Sequence, residues 1–216
     1  QILVAWKRLS TDLTSTTDRL DTVAAVNDTR NETEIAYSIY DGNAWSTPRT
    51  LTNTSVVQRR PTVATANDKW HLAWESFDRA NNTTTVRSTV VSPDGTTTSI
   101  TDRPGAGNPD LGQRSDGTID LAYLVLDGAQ VTDITHEVRD GTSITSEQTY
   151  SAPDATTVVV SEGRVVWAIN ANRNPTLVEA TNGTTTELSL REDITEVQEL
   201  SLSARAGEAI LSYLSN

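Results

Sequence analysis

The 216-residue chain has no cysteine, which excludes disulfides, thiol chemistry and Cys-ligated metal. It also has no methionine, so Gln1 is not a translation start and the chain reads as processed or excerpted. No apolar run approaches the roughly 18 residues of a membrane-spanning helix. No signal-peptide pattern is visible. Lysine occurs only as Lys7 and Lys69, against 15 arginines, and phenylalanine occurs once. With 29 acidic and 17 basic residues the net charge is −12, which argues against binding nucleic acid or anionic lipid by net attraction. Apolar residues make up only 36% of the chain, so the expected core is thin or spread out.

What the chain has instead is threonine. There are 35, and their β-branched side chains favour half-exposed strands over helix. Short apolar strands carrying a small residue and then a large one recur: Val4-Ala5-Trp6, Leu72-Ala73-Trp74, Leu121-Ala122-Tyr123, Val165-Val166-Trp167 and Leu211-Ser212-Tyr213. Their last residues are 68, 49, 44 and 46 apart. A turn dipeptide recurs at Asp41-Gly42, Asp94-Gly95, Asp140-Gly141 and Asn182-Gly183; such pairs accept positive φ and signal hairpins. An earlier turn precedes each aromatic strand, at Asn67-Asp68, Asp116-Gly117, Glu162-Gly163 and Ala206-Gly207.

The three markers interleave in constant order. One unit reads strand, turn, aromatic strand, loop, strand, Asp-Gly turn, strand. Four short antiparallel strands every 40–50 residues are the pattern of a β-propeller blade. A β-sandwich does not predict the same markers returning in order. The fold class is therefore an all-β, four-stranded-blade propeller, with about four and a half blades in this chain. The expected blades are residues 2–52, 61–102, 109–150, 154–191 and a partial 196–216. In the blade 61–102 the expected strands are Thr62–Ala66, Trp70–Phe77, Thr84–Val91 and Thr96–Thr101. Trp6 and Asp41 are further apart than their counterparts, so a helical or loop insertion is expected over 9–33. The first unit lacks a first strand and the last has only its first two, which predicts either an excerpt of a propeller of about six to eight blades or a five-bladed ring with irregular closure.

Propeller ligands sit on the face that carries the loops between blades and between second and third strands. Those loops hold Arg59, Arg60, Asp78, Arg79, Asp102, Arg103, Arg173 and Asp193. Arginines flanked by carboxylates either recognise an anionic sugar bidentately or are simply solvated; Arg59, Arg60, Asp78, Arg103 and Arg173 are the candidate ligand-binding residues. Glu75 and Asp120 lie on second strands. A carboxylate there either loses its water and acts as an acid, or reaches a backbone amide. No catalytic residue is assigned. His71 and His136 read as structural, because no ligand cluster surrounds them; no calcium loop, nucleophile elbow or phosphate loop is present, and no metal or other cofactor is expected. The glycan-acceptor pattern Asn-x-Ser/Thr occurs at Asn27, Asn31, Asn53, Asn81, Asn82 and Asn182, all in expected loops or turns.

The segment Ser38-Ile39-Tyr40-Asp41-Gly42-Asn43-Ala44-Trp45 resembles a degenerate Asp-box, the hairpin motif of sialidase-like propellers. The acid-rich, Lys-poor, Thr-rich blades are similar to propeller ectodomains of secreted or cell-surface proteins of halophilic archaea. Asp-boxes are structural and carry no catalytic residue across. Sialidase-like chemistry implies an arginine triad with a Tyr–Glu pair, and no residue here matches those positions one by one. The function expected is a non-catalytic extracellular or cell-surface propeller that binds a glycan or a surface partner, or builds a cell envelope. A sialidase-like glycan-processing enzyme and a self-assembling coat subunit are the alternatives. Expected partners are a glycan or cell-surface protein, and further blades or another copy of the chain to complete the ring.

Overall fold

The structure, a computed structural model, describes residues 1–9, 33–54, 56–171, 174–190, 194–205 and 208–215. Among the described residues seventeen strands form five antiparallel sheets. The first holds β1 (Ile2–Leu9), β2 (Thr33–Tyr40) and β3 (Arg49–Thr50). The second holds β4 (Val57–Ala66), β5 (Lys69–Asp78), β6 (Thr83–Val91) and β7 (Thr101–Pro104). The third holds β8 (Ala106–Gln113), β9 (Ile119–Asp127), β10 (Gln130–Asp140) and β11 (Ser143–Ser151). The fourth holds β12 (Ala155–Ser161), β13 (Arg164–Ala171), β14 (Asn174–Thr181) and β15 (Thr184–Leu188). The fifth holds β16 (Val197–Arg205) and β17 (Glu208–Ser215). Each complete sheet is a meander in chain order, the blade pattern read from the sequence. Among the described residues there is no helix, and so none long and apolar enough to cross a membrane. The insertion expected over 9–33 falls almost wholly on 10–32, outside the described residues.

The repeated aromatic does one job in successive blades: it packs on the preceding sheet. Tyr123 joins Ala64, Ala73 and Val86 of the second sheet. Trp167 joins Ala122, Leu124 and Tyr150 of the third. Tyr213 packs against Ala168 and Leu177 of the fourth. The thin core expected from composition is thus divided into slabs between sheets, each about one side chain deep on either face. Two-residue turns at Asn67-Asp68, Glu162-Gly163 and Asn182-Gly183 hold positive φ at both positions, as tight hairpins require.

Strand limits differ from expectation at the outer edge. The fourth strand of the second sheet begins at Thr101, not Thr96. After the turn only one bridge forms, Val91 to Thr97. Thr98 then turns its hydroxyl inward: Oγ accepts from Val90 N at 3.0 Å, and Thr89 Oγ donates to Thr98 O at 2.9 Å. A side-chain acceptor there displaces the ladder bond and delays the strand. Ser46 does the same in the first sheet, accepting from Ile39 N at 3.0 Å. The complete blades run 57–104, 106–151 and 155–188, against the expected 61–102, 109–150 and 154–191.

Strands β4, β8, β12 and β16 face one channel of about 380 Å³, with Val63, Gly112, Val160 and Ser201 in its wall. Each is paired on one edge only. Its other edge leaves backbone amides that need acceptors. The preceding sheet supplies them. Thr33 Oγ accepts from Gln58 N at 2.9 Å, and Glu75 Oε2 from Asn108 N at 2.8 Å. Asp110 Oδ2 accepts from Val160 N at 2.8 Å, and Asp120 Oδ2 from Gly163 N at 2.7 Å. Asn170 Oδ1 accepts from Val197 N at 3.0 Å, and Ser161 Oγ from Ala204 N at 3.1 Å.

These bonds bring β8 and β12 so close that a Cβ at Gly112 would stand 2.5 Å from the carbonyl oxygen of Val160. Neither backbone can yield without breaking its ladder. We expect Gly112→Ala to cost about 1–3 kcal/mol, read as a lower urea midpoint with an unchanged slope; an unchanged midpoint would refute the close approach. Asp110 gives a second prediction. Burial pushes its carboxyl up to about 6, against the bonds from Val160 N, Thr62 and Leu111 that favour the anion. Between about pH 4 and pH 6 the folded chain keeps a proton that the unfolded chain has released. The stability from this proton is full below pH 4 and is lost as pH rises to 6, by at most about 3 kcal/mol. Thermal melts of Asp110→Asn across that range should lack this decline.

Candidate functional site

The candidate residues Arg59 and Arg60 were expected in a loop ending at residue 61. They stand instead on β4, because the ladder with β5 continues through Arg59 opposite Glu75. The register slips between Arg59 and Thr62, and Arg60 takes φ 54°. Pro61 explains the slip: it has no N–H for the ladder and is accommodated at a bulge. The third sheet repeats the device. Its register slips between Gly107 and Asp110, with Asn108 at φ 50° before Pro109. The two bulges put Arg60 and Asn108 side by side at one end of the channel.

Between them is a cavity of about 220 Å³, lined by Arg59, Arg60, Glu75, Phe77, Asn82 and Asn108 among others. Glu75 forms its floor and is 2% exposed. Arg59 Nε donates to Glu75 Oε1 in a short charged hydrogen bond. Arg60 Nη1 lies 3.6 Å from Oε2, which also accepts the Asn108 amide. Gly107 makes the room, since a Cβ there would stand 3.1 Å from Glu75 Oε2. The Arg59 guanidinium sits 5.1 Å over the Phe77 ring, a cation–π contact that fixes its plane. Arg59 and Arg60 keep 42% and 55% of their side chains exposed. Their remaining N–H groups are oriented donors for a carboxylate from solution. Glu75 accepts hydrogen bonds from Arg59 and the Asn108 amide and holds Arg60 at ion-pair distance.

The other candidates go elsewhere. Asp78 closes its own turn: Oδ1 accepts from Ala80 N at 2.9 Å and Oδ2 from Asn81 Nδ2 at 2.8 Å. The bonds from Asn81 hold its carboxyl below the usual range. Arg173 lies outside the described residues, as do Asp193, Asn27 and Asn31. Asn53 is exposed, and Asn82 and Asn182 occupy left-handed turn positions. Arg103 is on β7, with its side chain 17% exposed and turned between the second and third sheets. There Arg103 Nε and Nη2 donate to Glu137 at 2.6 and 3.1 Å. Arg139 Nε donates to Glu137 at 2.7 Å, and the Tyr123 hydroxyl donates to Glu137 at 2.9 Å. Burial pushes the Glu137 carboxyl up, but the hydrogen bond from Arg103 and the charges of Arg139 and Arg103 bring it below its ordinary value. Burial and the adjacent Glu137 charge push the Tyr123 phenol up.

The sequence reading missed this cluster and the Arg59–Glu75 pairing. The Arg60-Pro61 and Asn108-Pro109 dipeptides, one per blade, were the available signal for the bulges. The two histidines are buried in strands, and burial pushes His71 down to about 4, with Arg139 and Lys69 adding to the effect. Among the described residues no group of three or more His, Asp and Glu could hold a metal ion.

No family model matches the chain, and no curated protein matches its sequence. Among solved structures it is similar to the phage phi92 endosialidase, with a TM-score of 0.53 and 10% identity over 81% of this chain and 45% of that one. This is a β-propeller fold. The chain spans less than half the length of that endosialidase. An α-L-arabinanase of Penicillium chrysogenum gives a TM-score of 0.48 at 14% identity, over 73% of this chain and 55% of that one. A Trypanosoma rangeli sialidase gives 0.48 at 15%, over 83% and 38%. In this propeller the Tyr123–Glu137 pair is shut between two blades, away from the channel wall.

Replacing Glu137 with Gln would leave Arg103 and Arg139 buried without their counter-charge. We expect a loss of about 3–5 kcal/mol in urea unfolding; a loss under about 1 kcal/mol would mean that the cluster does not hold the blades together.

Proposed function

We propose that this chain is a non-catalytic, glycan-binding part of an extracellular propeller, and that Arg59 and Arg60 take the carboxylate of an acidic sugar. The observation that carries the reading is the pair of half-exposed guanidiniums beside one buried carboxylate, Arg59 hydrogen-bonded to it and Arg60 at ion-pair distance. Such a pair needs little reordering when an anion arrives, so the entropy lost on binding is small. The cavity's chemistry argues for binding over turnover. Glycoside hydrolysis uses two carboxyl groups about 5–10 Å apart, whereas Glu75 is the sole carboxylate among the described residues lining this cavity. A tyrosine nucleophile, the sialidase solution, needs an accessible phenol, and Tyr123 is 6% exposed with its ionisation suppressed. The acid-rich, Lys-poor composition and the exposed or turn-borne acceptor asparagines are in keeping with a cell-surface setting in high salt.

Sialyllactose and lactose distinguish the readings. Calorimetry should show binding of the first, little of the second, and at least a tenfold loss in Arg60→Gln, or about 1.4 kcal/mol. Equal affinity for both sugars would reject the acidic-sugar reading. Steady release of sialic acid, abolished in Glu75→Gln, would make the chain a glycan-processing enzyme instead.

A further inference from the structure

A second cavity opens at the other end of the molecule. It measures about 740 Å³, within the roughly 300–1,000 Å³ of small-molecule sites. Arg114, His136, Gln148, Glu162, Arg164 and Asn182 are in its wall. The strand directions separate it from the arginine rim. Turns 162–163 and 182–183 border it, at the end opposite to turns 79–82 and 128–129.

The decisive group is His136, 5% exposed. Its Nε2 lies 2.8 Å from Asp120 Oδ1. Asp120 is wholly buried and also accepts from Arg114 Nη1 at 3.0 Å and Gly163 N at 2.7 Å. An ionised carboxylate only accepts, so the network assigns the hydrogen to Nε2. Nδ1 is the ring's other hydrogen-bonding atom, and among the described residues it has no partner. Gln148 stands directly opposite His136 across β10 and β11. Gln148 Oε1 accepts from the Tyr150 hydroxyl at 2.5 Å, which fixes the amide and leaves Nε2 to donate. An open imidazole nitrogen and an oriented donor therefore stand side by side, with Cβ atoms about 5 Å apart.

The remaining wall sets the ligand class. Arg114 and Arg164 share the wall with Glu162 and Glu208, so no surplus of positive charge favours an anion. Arg114 is further neutralised by Asp120, and Arg164 by Glu179 at 2.8 Å. The ligand that suits these walls is not an anion, and both gives and receives hydrogen bonds at several points. Sugar hydroxyls do both.

We propose that this cavity is a second carbohydrate site, for a neutral oligosaccharide, in which His136 and Gln148 hold a pair of hydroxyls. It is independent of the acidic-sugar reading and uses none of the same residues. The test uses the full chain made without glycosylation, because Asn182 borders the cavity. A printed panel of neutral sugars, including maltotriose, cellotriose and chitotriose, is screened, and the best binder is titrated by calorimetry. The expected result is binding that falls at least tenfold in Gln148→Ala and in His136→Asn, and persists in Arg60→Gln. Gln148 is exposed on an outer strand, so its variant keeps the test valid if His136→Asn fails to fold. No binding by any panel sugar, binding unchanged in Gln148→Ala, or binding lost in Arg60→Gln would each overturn the proposal.

Discussion

The structure depends on how the open edge of each innermost strand is satisfied. A propeller brings four such edges to its axis without pairing them to one another, and the amides there cannot be left dry. At every junction a polar side chain of one sheet accepts an amide from the innermost strand, or the turn after it, in the next sheet. Thr33, Glu75, Asp110, Asp120, Asn170 and Ser161 share this role. The apolar slabs between the sheets supply most of the burial. These acceptors fix how far each sheet slides and tilts against its neighbour, and Gly112 shows how little slack remains.

This requirement also governs the chemistry of the buried acids. Glu75, Asp120 and Glu137 are buried as a catalytic acid would be, yet each is occupied by several donors from its own and adjoining sheets. Their free energy goes into joining blades. What remains for a ligand is the outer side of the partners they orient: the guanidiniums beyond Glu75 at one end, and the His136 ring beyond Asp120 at the other. A buried carboxylate is in both places the anchor of a binding group.

The blades were legible in the sequence because in the third, fourth and fifth sheets the repeated aromatic fills the slab against the preceding sheet, and that demand repeats with the fold. Tyr123 and Trp167 fell where the periodicity put them. The contacts within the sites were less legible, for geometric reasons. Arg59 meets Glu75 only because a hairpin register carries it there and a bulge at Arg60 shifts the pairing that follows. Pro61 looked like the end of a loop and is the cause of that bulge. Arg103 was grouped with Arg59 by its place in a loop, but its partner Glu137 comes from the next blade. No local pattern announces a contact between sheets. Asp120 was marked as a carboxylate near an aromatic strand, while its role depends on His136 across the sheet and on a turn in the following blade.

The acceptors have a direction. In each of these six pairs between sheets the acceptor lies earlier in the chain than the amide it captures. A chain emerging from the ribosome N-terminus first presents each acceptor before the amide it will receive. Every completed sheet is thus a template for the strand that follows, whereas a sheet formed out of turn would have its axial amides unmet. The order of the acceptors along the chain thus matches the order of synthesis, and sheets can be added one upon another with no rearrangement of those already made.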